Sequence, residues 1–396
     1  MTTLLVSEIF PPRVGGSGRW LWEIYRRLPA EDYLLAVGES PGADVFDRAH
    51  QARVLRLPLT FPTRFLRRTS LPAYWRAYAT IRRLVRSEQV DWIHAGRCVP
   101  EGLLALAASR RRSTRYACFA HGEEVNPSNR TRRPARRDLR IYGSRELGLM
   151  VGRVLRGASF VVANSENTRT ILVERWGLAE QRVALLHPGV DTRRFAPAPL
   201  DPGVRTTLGW QDRTVVLTVG RLQRRKGHDV MLRGLSIVRQ RCPEVLYAVV
   251  GDGEQREPLV RLARDLGLED HVQLLGEISD DELVRCYQQC DLFVLPNREI
   301  EGDIEGFGMV LLEAQACGKP VVAGTSGGTS ETMTAASGVT VPCEEPEQLA
   351  ALVGDLLVTP ERRRAMGEAA RRWVVERFDW DALARQASEL FARRSG

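Results

Sequence analysis

At 396 residues the chain is longer than a single domain usually runs, and 43% hydrophobic residues suffice for two cores. Seven scattered cysteines, with no Cys-x-x-Cys pair and no His cluster beside them, argue against a disulfide framework or a zinc site, and no apolar run approaches the ~18 residues of a membrane-spanning helix. The net charge of +8 hides an asymmetry: residues 1–190 carry 31 Arg against 17 acids, whereas the remainder carries 26 basic and 32 acidic side chains. A basic half suits an anionic partner, or simply an Arg-rich composition on solvated faces.

In chain order, residues 3–7 read as a buried strand that stops at Glu8, with no signal peptide. A Pro/Gly loop over 11–18 opens a helix over 19–28, whose Trp20, Ile24 and Leu28 share one face. Strands are expected at 34–37, 53–57, 92–94, 116–120, 160–164 and 183–187, and a helix at 74–87. The Pro-rich stretch 195–203 reads as a linker. After it the rhythm restarts, with strands at 215–219, 246–250, 272–275, 292–295 and 321–323. This βα alternation predicts an α/β fold of two successive doubly wound, Rossmann-like domains with parallel sheets. They are expected over 1–195 and 196–375, with 376–396 as a helix that could cross back to the first domain. Ligands of open parallel sheets lie beyond the carboxyl ends of strands, so the site is expected in a cleft between the domains.

The motifs that carry chemistry each follow a strand. Gly15 and Gly16 open the first helix, where they either let a phosphate approach or make a plain turn. Arg221 and Lys226 lie five apart in the loop after the first strand of the second half and can converge on one anion such as a pyrophosphate. Lys226 and Lys319 are the chain's two lysines. Gly251 and Gly253 end the next strand, where they either make a tight turn or, at Gly251, line the donor site. The segment 303–322 places Glu305 before a helix that starts near Gly308 and Glu313 within it; the amides of Gly306, Phe307, Gly308, Met309 and Val310 face an anion as at any helix start. Two acids beside anion-binding amides suit a ligand that carries hydroxyls on either side of its phosphates, as a sugar-nucleotide does. Asp303 and Glu305 have no His nearby to complete a ligand set, and no metal is expected. His121 ends a strand of the first half, where it is either structural or faces the cleft.

Taken together, these residues resemble the retaining glycosyltransferases of family 4, of the two-Rossmann-domain architecture called GT-B. The Gly15-Gly16 loop, the Gly-Arg221-x4-Lys226-Gly stretch and Glu305-x7-Glu313 occur in the family's order. The stretch 313–328, and His121-Gly122 with Glu124-Val125, are similar to bacterial phosphatidylinositol mannosyltransferases. The resemblance implies a hexosyltransferase that uses a nucleotide-sugar, GDP-mannose above all, with no cofactor and no metal. It implies that Arg221 and Lys226 neutralise the diphosphate, Glu313 binds the ribose and Glu305 holds sugar hydroxyls. His121 would contact the sugar, and Gly16 would let its loop approach the diphosphate. Backbone around Gly276 and Ile278 would select the base. Configuration would be retained by front-face attack, without a carboxylate nucleophile. Departures at Glu123, Thr329-Ser330 and the Arg-rich stretch 130–145 bear on the acceptor, which is an anionic, lipid-linked, glycan or small-molecule hydroxyl.

Two other readings compete. A nucleotide-sugar epimerase would share the architecture without needing an acceptor. A non-catalytic module would use the basic half; nucleic acid is disfavoured because the arginines, clustered at 110–112 and 130–140, lack interleaved aromatics. A cytoplasmic protein is expected; residues 61–76 mix aromatics with Arg, either as an interfacial helix in peripheral contact with the inner face of the plasma membrane or as an ordinary solvent-facing helix and loop.

Overall fold

The structure is a computed structural model that describes residues 1–13, 15–51, 54–59, 71–109, 114–126 and 145–395. Among the described residues, short runs of Val, Leu, Ile and Ala form thirteen strands: β1 (Thr3–Ser7), β2 (Tyr33–Gly38), β3 (Val54–Leu57), β4 (Trp92–Ala95), β5 (Arg115–Ala120), β6 (Phe160–Ala163), β7 (Val183–Leu185), β8 (Thr214–Val219), β9 (Val245–Val250), β10 (Val272–Gly276), β11 (Leu292–Leu295), β12 (Val321–Gly324) and β13 (Gly338–Val341). They make two sheets, ordered β3-β2-β1-β4-β5-β6-β7 and β10-β9-β8-β11-β12-β13. Every neighbouring pair is parallel.

The apolar runs are continuous because each strand is buried on both faces. In β8, Val215, Leu217 and Val219 join one core with Phe293 and Leu295, while Val216 joins the other with Tyr247 and Val294. Alternate side chains thus point to opposite layers of helices. In each sheet the chain starts near the middle, runs to one edge, and then returns to the far side of its first strand. The order therefore reverses between β1 and β4 and again between β8 and β11. At such switch points the loops diverge and leave room for a ligand.

The chain divides into one unit of Met1–Pro188 with Asp381–Gly396 and a second of Gly189–Trp380. These limits differ from 195 and 375. The stretch 195–203 is strapped to the second unit rather than free: Phe195 is buried in its core, and Arg371 and Gln288 donate to the carbonyls of Phe195 and Ala196. The last helix, Trp380–Ser395, contributes to the first unit. Its Phe391 is buried against the rings of Tyr25, His94 and Phe119, and its Asp381 accepts from Arg27.

Other boundaries shift for local reasons. The first helix spans Gly16–Tyr25 rather than 19–28, and tighter turns carry the chain through Leu28. β6 ends at Ala163 because Ser165 caps the next helix by accepting from the amide of Thr168. β13 was not anticipated; its four residues follow Ser337 and precede Pro342, and pair with β12 at the sheet edge. Among the described residues no helix is long and apolar enough to cross a membrane.

Candidate functional site

In the second unit the loop after β8 meets the loop after β11 at the switch point. A 3-10 turn at Arg224–Lys226 folds the first loop so that two consecutive cations reach the second. Arg225 Nη1 donates to Glu305 Oε2 at 2.5 Å, and Lys226 Nζ lies 2.7 Å from the same oxygen. Arg225 Nε is also 3.3 Å from Asp303 Oδ1. Lys226 and Glu305 are each 8% exposed. Burial alone would push the Glu305 carboxyl up, but Lys226 and Arg225 outweigh it and hold it at about 2. The Lys226 amine is shifted downward, by burial first, with Arg225 adding and Glu305 opposing. This is a compact cluster in which Arg225 and Lys226 share one Glu305 oxygen and Arg225 also reaches Asp303.

The main chain around Glu305 is fixed from the other side. Gly327 sits at φ +75°, and a Cβ there would lie 1.8 Å from the Glu305 carbonyl oxygen, which accepts from the Gly328 amide at 3.2 Å. Only glycine allows that approach. The helix Met309–Ala316 follows, with Gly308 at its N-cap and no side-chain cap, and the Leu311 amide donates to the Gly308 carbonyl at 2.9 Å. Phe307 faces the core at 3% exposure and its ring contacts that of Phe378. Met309 and Val310 are half-buried. One turn further along, Glu313 is buried and its Oε2 accepts from the Tyr287 hydroxyl at 2.7 Å.

Three of the expected donor-site residues have settings of their own. Arg221 is exposed, and the cation brought together with Lys226 is its neighbour Arg225, because the 3-10 turn aims 225 and 226 at Glu305. Gly251 serves the backbone: its amide donates to the Gly276 carbonyl at 2.8 Å, and a Cβ would stand 2.2 Å from the Gly220 oxygen. Ile278 packs against the second unit's core and lines, with Val204, Leu208, Leu275 and Cys286, a cavity of about 480 Å³ beside the edge strand β10.

In the first unit, Gly15 precedes the helix Gly16–Tyr25, which again has no side-chain cap. Two residues not singled out from the sequence hold this loop. Glu101, fully buried, accepts from the Glu8 amide at 2.8 Å, and Arg97 donates to Ser17 Oγ at 3.1 Å. His121 ends β5 and is 7% exposed, with its ring edge-on to Trp20. Its Nε2 is 3.0 Å from the Gly96 carbonyl, which can only accept, so the proton resides on Nε2 and the lone pair on Nδ1. Burial, helped by nearby Arg97, lowers its pKa to about 3 against the pull of the Gly96 bond. His121 is therefore a neutral hydrogen-bond acceptor at working pH.

No group of three or more His, Cys, Asp or Glu side chains among the described residues is placed to hold a metal. Asp303 and Glu305 are engaged by cations of the chain itself. The Arg clusters at 110–112 and 130–140 and the aromatic stretch 61–70 lie outside the described residues. The adjoining helix Leu71–Ser87 exposes Trp75 at 68%, with Arg76, Arg83 and Arg86 also exposed.

Comparison with known proteins agrees with this geometry. The family Glycosyltransferase Family 4 matches residues 14–194, and Glycosyl transferases group 1 matches residues 205–373. The chain is 35% identical to the GDP-mannose-dependent alpha-(1-6)-phosphatidylinositol monomannoside mannosyltransferase of Mycolicibacterium smegmatis, over 99% of this chain and 98% of that one. It is 30% identical to a GDP-mannose-dependent monoacylated alpha-(1-6)-phosphatidylinositol monomannoside mannosyltransferase of Corynebacterium glutamicum, over 98% and 97%. The crystal structure of Anabaena HepE in complex with UDP superposes with a TM-score of 0.80 at 22% identity, covering 99% of this chain and all of the other; at that identity the likeness concerns the fold.

Proposed function

The chain belongs to glycosyltransferase family 4, with the GT-B architecture, and from that premise we propose that it transfers mannose from GDP-mannose to a hydroxyl of a lipid-linked acceptor, with retention of configuration and without a metal. The observation that carries this reading is the buried Arg225–Glu305–Lys226 constellation at the β8/β11 switch point. A departing nucleoside diphosphate develops negative charge as the sugar develops positive charge. Fixed cations and uncapped helix amides stabilise that departure in the place of a metal ion.

In this reading Lys226 and Arg221 neutralise the diphosphate, together with the first amides of Met309–Ala316. Glu305 and the backbone of 306–308 take sugar hydroxyls. Glu313, oriented by Tyr287, takes the ribose. His121 accepts from a sugar hydroxyl through Nδ1 and neither gives nor takes a proton, which leaves the leaving phosphate to receive the proton of the attacking hydroxyl. Gly15 and Gly16 serve the diphosphate, and the backbone at Gly276–Ile278 serves the base. GDP-mannose and a phosphatidylinositol mannoside acceptor are favoured by the similarity to the mycobacterial and corynebacterial enzymes along nearly the full chain. The exposed Trp75 among arginines supports an acceptor presented at an anionic lipid surface.

A thermal-shift screen against GDP, UDP, ADP and their sugars tests the donor. A ligand at ~100 times its dissociation constant adds ~2.7 kcal/mol of stability. GDP and GDP-mannose are expected to give the largest shifts. A larger shift with UDP or ADP would overturn the choice of base, and no shift with any nucleotide would overturn the whole reading.

A further inference from the structure

The donor reading makes two demands on one amine. Lys226 Nζ stands 2.7 Å from Glu305, yet the diphosphate needs the same charge. Glu305 is buried, and a buried carboxylate that loses its cations is strongly destabilised. A lysine committed to Glu305 alone would hold back from the donor, or would strand the acid when it left.

Arg225 resolves the conflict. Its guanidinium shares the Glu305 oxygen with Lys226 and also reaches Asp303. Asp303 is itself held in a tight turn, where Ile300 and Asp303 exchange backbone hydrogen bonds and Glu301 and Gly302 take positive φ of 53° and 83°. The Arg225 main chain is pinned as well, its carbonyl accepting from the Arg298 amide at 2.9 Å. Arg225 is thus fixed at both ends. Lys226 instead carries its charge on a flexible four-carbon stem that passes Gly220, just beyond the carboxyl end of β8.

We propose that Arg225 is a positioning residue that stays on Glu305 while Lys226 exchanges Glu305 for the donor's diphosphate, so that the exchange never leaves the buried acid without a cation. The inference rests on the donor reading above. It treats Arg225 as acting through Glu305 and not as a ligand of the diphosphate.

A double-mutant cycle on GDP binding, measured by titration calorimetry, decides between the two roles. Wild type, R225Q, E305Q and R225Q/E305Q are compared at one salt concentration. In R225Q, Lys226 becomes the acid's sole cation, and GDP is expected to bind about tenfold more weakly or worse. In E305Q the lysine has no acid to satisfy, and GDP is expected to bind at least as tightly as to wild type. In that background the arginine is expected to matter little, so the double variant should match E305Q within about threefold. If Arg225→Gln costs the same factor with and without Glu305, Arg225 touches the diphosphate directly and the proposal is overturned; unchanged GDP affinity in R225Q overturns it too. Should R225Q not fold, E305Q against the double variant still decides, since a tenfold gap there has the same meaning. A wild-type protein that binds none of GDP, UDP or ADP overturns the donor reading itself, a result distinct from any outcome of the cycle.

Discussion

Lys226→Ala separates catalysis from stability, because the structure gives the two different magnitudes. Removing the sole partner of a buried acid costs ~3–5 kcal/mol of folding stability. Glu305, however, keeps Arg225 at 2.5 Å, so the folding penalty should fall well below that range. The chemical step is not protected in this way. A preorganised group aimed at developing charge is worth ~2.7–4 kcal/mol of barrier, or ~100–1,000-fold in kcat. The assay is nucleoside diphosphate release from GDP-mannose, with acceptor-containing membranes and without, alongside a thermal unfolding curve. The expected result is a two- to three-decade loss of turnover in a protein whose unfolding midpoint stays close to wild type. Turnover within about threefold of wild type would refute the assignment of Lys226 to the leaving group.

Tyr287→Phe removes the hydroxyl that orients Glu313; a hydrogen bond to a charged group is worth ~1.5–3 kcal/mol, so the preference for GDP over 2′-deoxy-GDP should shrink about tenfold, and an unchanged ratio would separate Glu313 from the ribose. His94, His121 and His228 are all kept neutral by burial, at about 3, 3 and 4. The unfolded chain therefore binds protons near pH 6.5 that the folded chain refuses, and each histidine costs ~1.4 kcal/mol of stability per pH unit below that point. Unfolding midpoints should fall steadily from pH 6.5 toward 4, whereas kcat should show no limb assignable to His121 over pH 5–8. Liposome flotation should recover the protein with anionic vesicles and not with neutral ones, and Trp75→Ala should weaken that recovery; equal, negligible binding to both would leave the membrane contact without support.

The architecture was legible because parallel strands buried on both faces must be written as unbroken apolar runs; β1, β8, β9 and β11 fall within a residue of where hydrophobicity alone puts them. β13 escaped because an edge strand of four residues leaves too short a run. Glu305 and Glu313 stood out for a different reason: they lie before and within a helix whose start offers amides to an anion, and both are buried on partners of the chain. Arg225 did not stand out. In a chain where Arg fills most solvated positions, one more arginine beside Lys226 carries no signal until the 3-10 turn shows which way it points. Glu101, Arg97 and Tyr287 were hidden for the same reason, since each acts through a partner distant in sequence: Glu8, Ser17 and Glu313.

The helix Trp380–Ser395, sixteen residues long, has a consequence for how the chain is made. The second unit is continuous from Gly189 to Trp380 and can close as soon as it has emerged from the ribosome, whereas the first unit, though begun earlier, lacks Phe391 until the helix beyond the second unit has been made. The usual order of synthesis is thereby inverted: the part translated first is completed last. Until then the hollow among Tyr25, His94 and Phe119 stays open. A ribosome stalled within the codons for residues 381–395, or an insertion that displaces this helix, should yield a folded second unit attached to an unfinished first one.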